Sequence, residues 1–176
     1  MSLSKVIAVL KELGFKPKIE SFEDRLKLQK LVFLLQLKGI KTGFNYSLYV
    51  RGPYSPELTE ELFKERNKLK ELKTREKLSI KEQEKIKEFK ELFKKLKPSL
   101  LEIAATYAYF AFKLNQDPIT ATKNLKNLKP FYSEPLIAVG ASKAKELLFK
   151  PTEKELSEML AEFKPWQEAS LEAIRN

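Results

Sequence analysis

The chain has 176 residues, 43% of them hydrophobic, with a net charge of +10 and neither Cys nor His. That is enough chain for one domain with a substantial core. It removes thiolate nucleophiles, imidazole bases and every Cys/His metal site, and with Asp24 and Asp117 the only aspartates, a carboxylate cluster for a two-metal centre is disfavoured. The Lys/Glu load without Cys or His is of the kind found in thermophile proteins. Glycine, at five residues, is too scarce for glycine-rich phosphate loops or a tight β-sandwich. No run of 18 uncharged apolar residues is present, so no transmembrane span is expected. "MSLSKVIAVLKELG" carries Lys5 and Lys11 inside its apolar pattern and reads as an amphipathic helix rather than a signal peptide, which makes the cytoplasm the expected compartment.

In chain order, Val6, Ile7, Val9, Leu10 and Leu13 predict a helix over residues 4–13, stopped by Gly14. A second helix starts near Asp24 and ends at Gly39. Leu28, Leu31, Val32, Leu34 and Leu35 point in several directions, as in a helix buried at the centre of a domain. "FNYSLYV" alternates and predicts a half-buried strand, which "RGPYSP" breaks. Ser55 then caps a helix over residues 56–70 with Pro56 in its first turn and Leu58, Leu62, Phe63 and Leu69 inward. "ELKTREKLSI" admits either two short strands or a frayed helix.

Ser79 and Glu82 form a capping box for a helix with Ile86, Phe89, Leu92, Phe93 and Leu96 in one stripe. Ser99 and Glu102 suggest a second box, opening "LLEIAATYAYFAFKL", a second buried helix whose Tyr107, Tyr109, Phe110 and Phe112 read as core. Asp117-Pro118 caps a helix to residue 128, and another starts at Ser133. Thr152 and Glu155 cap a last helix with Leu156, Met159, Leu160 and Phe163 inside, which Pro165 ends or kinks. The sum is a mainly α fold: a single helical domain over residues 1–176. Residues 1–97 are expected to be winged-helix-like with one to three short strands, and residues 98–176 to be helical and to pack on them.

No Walker loop, GxGxxG, HExxH or Ser-His-Asp set occurs, no cofactor is implied, and no catalysis is expected. Two surfaces stand out. The first is the turn formed by Tyr49, Arg51, Gly52, Pro53, Tyr54 and Ser55, with Lys27 and Lys30 on the preceding helix. Tyr and Arg are common interface anchors, and Gly52 is suited to positive φ. A turn whose tyrosines merely cover the core edge reads equally well. A cation of the helix buried against the turn carbonyls is one option, and a solvated lysine is the commoner one. The second surface is the basic face Lys81, Lys85, Lys87, Lys90 and Lys94, which would serve a nucleic-acid partner. Groove reading by the helix after the turn is disfavoured, because Glu57, Glu60 and Glu61 sit where phosphates would approach. A homodimer through the C-terminal helices, with Trp166 as a contact, is a third reading.

"RLKLQKLVFLLQLKG" followed by "FNYSLYVRGPYSPEL" resembles the YwgA-like family of uncharacterised prokaryotic proteins. It is similar, more distantly, to the Panacea (SocA-like) antitoxin domain, whose mark is a Lys-Leu-Gln-Lys-Leu helix, an aromatic strand and a Gly-Pro turn. The matching positions are Lys27, Leu28, Gln29, Lys30, Leu31, Gly52 and Pro53, with Tyr54 and Ser55 following. The tryptophan-containing strand of Panacea domains has no counterpart here. The resemblance implies a mostly α fold with winged-helix affinities. It also implies a regulatory or adaptor role on a protein partner, such as neutralising a toxin or delivering a partner to a protease.

Overall fold

A computed structural model describes residues 3–150 together with Lys154, Ser157 and Ala161. The expected last helix and the Trp166 contact lie outside the described residues. Within them the chain is mainly α with one two-stranded sheet, in the order α1 (Leu3–Leu13), α2 (Phe22–Leu37), β1 (Ser47–Tyr49), β2 (Gly52–Tyr54), α3 (Pro56–Lys64), α4 (Arg66–Glu71), α5 (Ile80–Leu92), α6 (Pro98–Ala108), α7 (Pro118–Leu128) and α8 (Glu134–Leu148). A π-helical turn, Tyr109–Lys113, continues α6. No described helix is long and apolar enough to cross a membrane.

Two helices form the centre. Every residue of α2 from Leu28 to Leu35 is buried, and so is every residue of α6 from Leu101 to Ala108. Helices apolar on all sides must be covered on all sides, and α2 packs on α6 while α6 packs on α8. The closest approach is at Gly140 of α8, where a Cβ would stand 2.4 Å from Ile103 Cγ2. α1 and α5 close the opposite side, and Ile86, Phe89 and Phe93 reach the core from α5 and its C-cap.

Several expectations are corrected. The strand read over "FNYSLYV" is shorter, and "RGPYSP" does not simply end it. Val50 and Arg51 form a two-residue turn, and Gly52-Pro53-Tyr54 returns as the second strand, with Ser47 opposite Tyr54, Leu48 opposite Pro53 and Tyr49 opposite Gly52. In a hairpin of this register Leu48 and Pro53 form the pair that exchanges no ladder bonds, so the missing Pro53 N–H costs nothing. The helix expected over 56–70 breaks at Glu65 into α3 and α4, and Phe63 faces outward.

Residues 72–79 form neither strands nor helix, so no wing is present there. That segment runs across α1, where the Thr74 hydroxyl donates to Ser4 O (3.1 Å) and Lys5 pairs with Glu76 (2.9 Å). The capping box of Ser79 and Glu82 is formed, but the one expected at Ser99 and Glu102 is not. Lys97 occupies the N-cap position of α6, and Glu102 points into the core.

Candidate functional site

The Lys-Leu-Gln-Lys-Leu segment of α2 holds the hairpin. Leu28 and Leu31 are core residues, and the two polar residues between them face the turn. The Gln29 side chain grips a single residue from both sides: its Nε2 donates to Ser55 O (2.9 Å) and its Oε1 accepts from Ser55 N (3.0 Å). The same Nε2 reaches Thr59 Oγ1 at 2.9 Å. Lys30 is 1% exposed, and its Nζ donates to Pro53 O at 2.6 Å. That carbonyl faces away from β1, as expected for the non-bonded pair, and the lysine satisfies it. Ser55, itself buried, accepts from Leu58 N and so caps α3. Gly52 has φ +83° and lies against α6, where a Cβ would stand 2.4 Å from Thr106 Oγ1. Glycine is therefore required for both backbone conformation and space.

Behind the hairpin lies a charged cluster. Glu102, 1% exposed, receives Lys129 Nζ at 2.5 Å, and Lys129, fully buried, also donates to Val50 O at 2.5 Å. Arg51 approaches the second oxygen of Glu102 at 3.6 Å, with 57% of its side chain exposed. One carboxylate thus stands among three cations: Lys129, Arg51 and Lys30. Desolvation by burial holds the Lys30 amine down to about 7; Glu102 opposes this, while Lys129 and Arg51 add to it.

The front of this assembly is a groove of about 490 Å³ between the start of α2, the hairpin and α3. Phe22, Leu26, Tyr49, Val50, Tyr54 and Phe63 supply its apolar surface, and Arg25, Lys30 and Arg51 its charge. Among the described residues no carboxylate lines it. Phe22, Tyr49, Val50 and Phe63 are all about half exposed or more. The Arg25 guanidinium lies 5.9 Å from the Phe22 ring centre and 5.7 Å from that of Phe63. It is held there by bonds to Ile19 O (2.6 Å) and Glu20 O (3.1 Å). Tyr49 and Tyr54 meet edge-on with centres 5.3 Å apart. No cluster of carboxylates that could hold a metal occurs among the described residues.

The structure divides the residues expected at a partner surface. Tyr49 and Arg51 are exposed and Tyr54 is half-buried, all on the groove. Gly52, Pro53 and Ser55 are buried and support the hairpin from within, drawn inward by the Gln29 and Lys30 bonds and the packing on Thr106, while Lys30, also buried, both holds Pro53 and borders the groove. Lys27 lies aside, paired with Glu23 (2.6 Å) and Asp24 (3.6 Å) within its own helix.

On the basic face of α5, Lys81, Lys87, Lys90 and Lys94 are exposed, while Lys85 turns back to donate to Gly39 O (3.3 Å). Glu84, Glu88 and Glu91 stand between them. A denser set of cations lines a cleft between the connector after α1 and α4: Lys16, Lys18, Arg66 and Lys70, with Glu20. Sequence reasoning missed Glu102, Lys129, Phe22 and Phe63. The signal available for Glu102 was a lone carboxylate inside "LLEIAATYA", since a charge in an otherwise apolar helix needs a buried partner.

Comparison of the chain with protein-family models, with curated proteins and with solved structures gives no match.

Proposed function

We propose that this protein is a non-enzymatic regulatory or adaptor module that binds a protein partner in the groove between α2, the β-hairpin and α3. The observation carrying this reading is the rim of exposed apolar side chains, Phe22, Tyr49, Val50 and Phe63, around a concavity that, among the described residues, contains cations and no carboxylate. Exposed contiguous apolar surface next to arginine and tyrosine has the composition of an interface centre. The hairpin is fixed by buried bonds on its inner side, so the groove is preformed and binding would order little. The resemblance to YwgA-like and Panacea-type sequences supports the same reading, because Gln29, Lys30 and Tyr54 of its motif positions line the groove, and it makes an antitoxin-like role the favoured version.

The test uses Val50→Asp and Phe63→Asp together, both at exposed positions that should leave folding intact. Partners retained by the wild-type chain from its host, and shielding the groove in hydrogen exchange, should be lost from the variant. Retention of every partner by a variant with unchanged thermal stability would sink the assignment.

A second reading, nucleic-acid binding, is favoured by the cleft of Lys16, Lys18, Arg66 and Lys70, whose side chains make no hydrogen bond or ion pair with described residues. It predicts duplex or single-strand affinity falling steeply between about 50 and 200 mM salt through counterion release. No binding even at low salt would eliminate it.

A further inference from the structure

We infer that the groove selects a partner segment presenting a carboxylate beside an apolar side chain, the apolar group seating among Phe22, Tyr49 and Phe63 and the carboxylate being received by Arg51 and Lys30. This rests on the partner-binding reading and adds the chemistry of the partner.

The charge around the groove is unbalanced. Among the described residues Glu102 is the only carboxylate in the buried cluster, and Lys129 takes it at 2.5 Å while also serving Val50 O. Among the described residues Arg51 is left with a single ion-pair contact at 3.6 Å, although a guanidinium carries five N–H donors in a planar fork. Lys30 spends one bond on Pro53 O and has no carboxylate within ion-pair distance among the described residues.

The charged groups around Lys30 are Glu102 from α6, Lys129 beyond α7 and Arg51 from the hairpin, so cations outnumber anions there. On its own helix Arg25 is occupied by the carbonyls of Ile19 and Glu20, and Lys27 by Glu23 and Asp24. An anion entering the groove would meet two incompletely used donors and no opposing carboxylate. A neutral ligand would leave both as they are. An incoming carboxylate would also favour the charged form of Lys30, so binding should take up a proton near neutral pH.

Carboxylates reach such a groove from an acidic side chain or from a chain terminus. Three probes separate the cases when titrated into the 15N-labelled full chain at pH 6 with amide shifts as the readout. They are N-acetylphenylalanine, with a terminal carboxylate, N-acetyl-Glu-Phe-amide, with a side-chain carboxylate, and N-acetylphenylalaninamide, with none. At least one carboxylate probe should shift the amides of residues 49–55 and the start of α2 with an affinity about tenfold above the neutral amide, in keeping with a charge-assisted bond. The tighter of the two identifies the source.

Arg51→Gln should remove most of that preference, bringing the carboxylate probes close to the affinity of the neutral amide measured on the same variant. The preference should also shrink between pH 6 and pH 9 as Lys30 loses its proton. Equal affinities for all three probes would overturn the inference and leave the groove as an apolar site. No shift in the groove from any probe would overturn the groove reading with it. A preference that is constant with pH would remove Lys30 from the receptor.

Discussion

α2 uses one device twice, at the two ends of its C-terminal half. Gln29 and Gln36 lie about two helical turns apart on the same face. Each binds both the N–H and the C=O of one residue in an irregular segment: Ser55 for Gln29 and Phe44 for Gln36, where Nε2 to Phe44 O is 2.8 Å and Phe44 N to Oε1 is 3.2 Å. Beside each is a buried lysine on a carbonyl: Lys30 on Pro53 O, and Lys38 on Leu147 O at 2.6 Å. A side-chain amide with one donor group and one acceptor group can stand in for a neighbouring strand, which is how a helix core holds chain that has no sheet to join. The ends differ in charge. Lys38 has its own carboxylate, Glu88 at 2.5 Å, whereas Lys30 has none among the described residues. The compensated clamp meets α5 and α8, and the uncompensated one borders an open groove. The same mechanical device is thus paired with a carboxylate where it only supports structure and, among the described residues, left without one beside the groove.

The largest test of that difference is to remove each lysine region's carboxylate. Glu102→Gln leaves the fully buried Lys129 without its counter-charge and should cost about 3–5 kcal/mol in urea unfolding. Glu88→Gln removes a partner that is 55% exposed, while Lys38 keeps Leu147 O, and should cost no more than about 1 kcal/mol. Equal losses would mean that the hairpin cluster is solvated and that the two ends do not differ.

The next effect is a pH dependence assigned to Lys30. Its folded value, about 7, lies below the ordinary 10.5. Between those values the unfolded chain binds the proton and the native chain does not, so stability rises with pH across the window, and below about 7 both states are protonated and the burial cost is present in full. Measured as unfolding free energy from pH 6.5 through 8 to 9.5, the rise should amount to roughly 3–4 kcal/mol. It should vanish in Lys30→Met. A wild-type curve that falls over this range would show that Lys30 keeps its charge in the native state.

Much of this is legible in the sequence, and the features that are not share a cause. Periodicity places both central helices because Leu28 to Leu35 and Leu101 to Ala108 lack a continuous polar face, and caps such as Ser55, Ser79 and Asp117 mark helix starts through local chemistry. The hairpin escapes a sequence reading because Gly52-Pro53 is the usual sign of a break. Only the bond from Lys30, 23 residues earlier in the chain, and the space opposite Thr106 make it a strand. Glu102 has the spacing of a capping residue, while the partner that buries it, Lys129, is 27 residues away. Phe63 follows the core residue Leu62 and so reads as inward, whereas the rim it forms with Phe22 and Val50 depends on how α3 docks on α2 and the hairpin. Local signals fix helices. The site arises from contacts between segments that the sequence does not order.

The smallest and sharpest comparison sets the two glutamines against each other. In Gln29→Ala the Ser55 N–H loses its partner in a position that is fully buried, while the Ser55 C=O keeps Thr59 N (3.2 Å) and Thr59 Oγ1 loses a donor, so the cost should be about 2 kcal/mol. In Gln36→Ala the freed groups belong to a segment in which Lys41, Gly43 and Asn45 are exposed, so water can replace part of what is lost, and about 1 kcal/mol is expected. Total stability alone would not separate support of the hairpin from support of the core. Hydrogen exchange does so: Gln29→Ala should speed exchange at residues 47–55 and leave residues 40–46 unchanged, and Gln36→Ala should do the reverse. If both substitutions loosened both segments, α2 would be acting as one unit rather than as two clamps, and the charge difference between its ends would carry no special meaning for the groove.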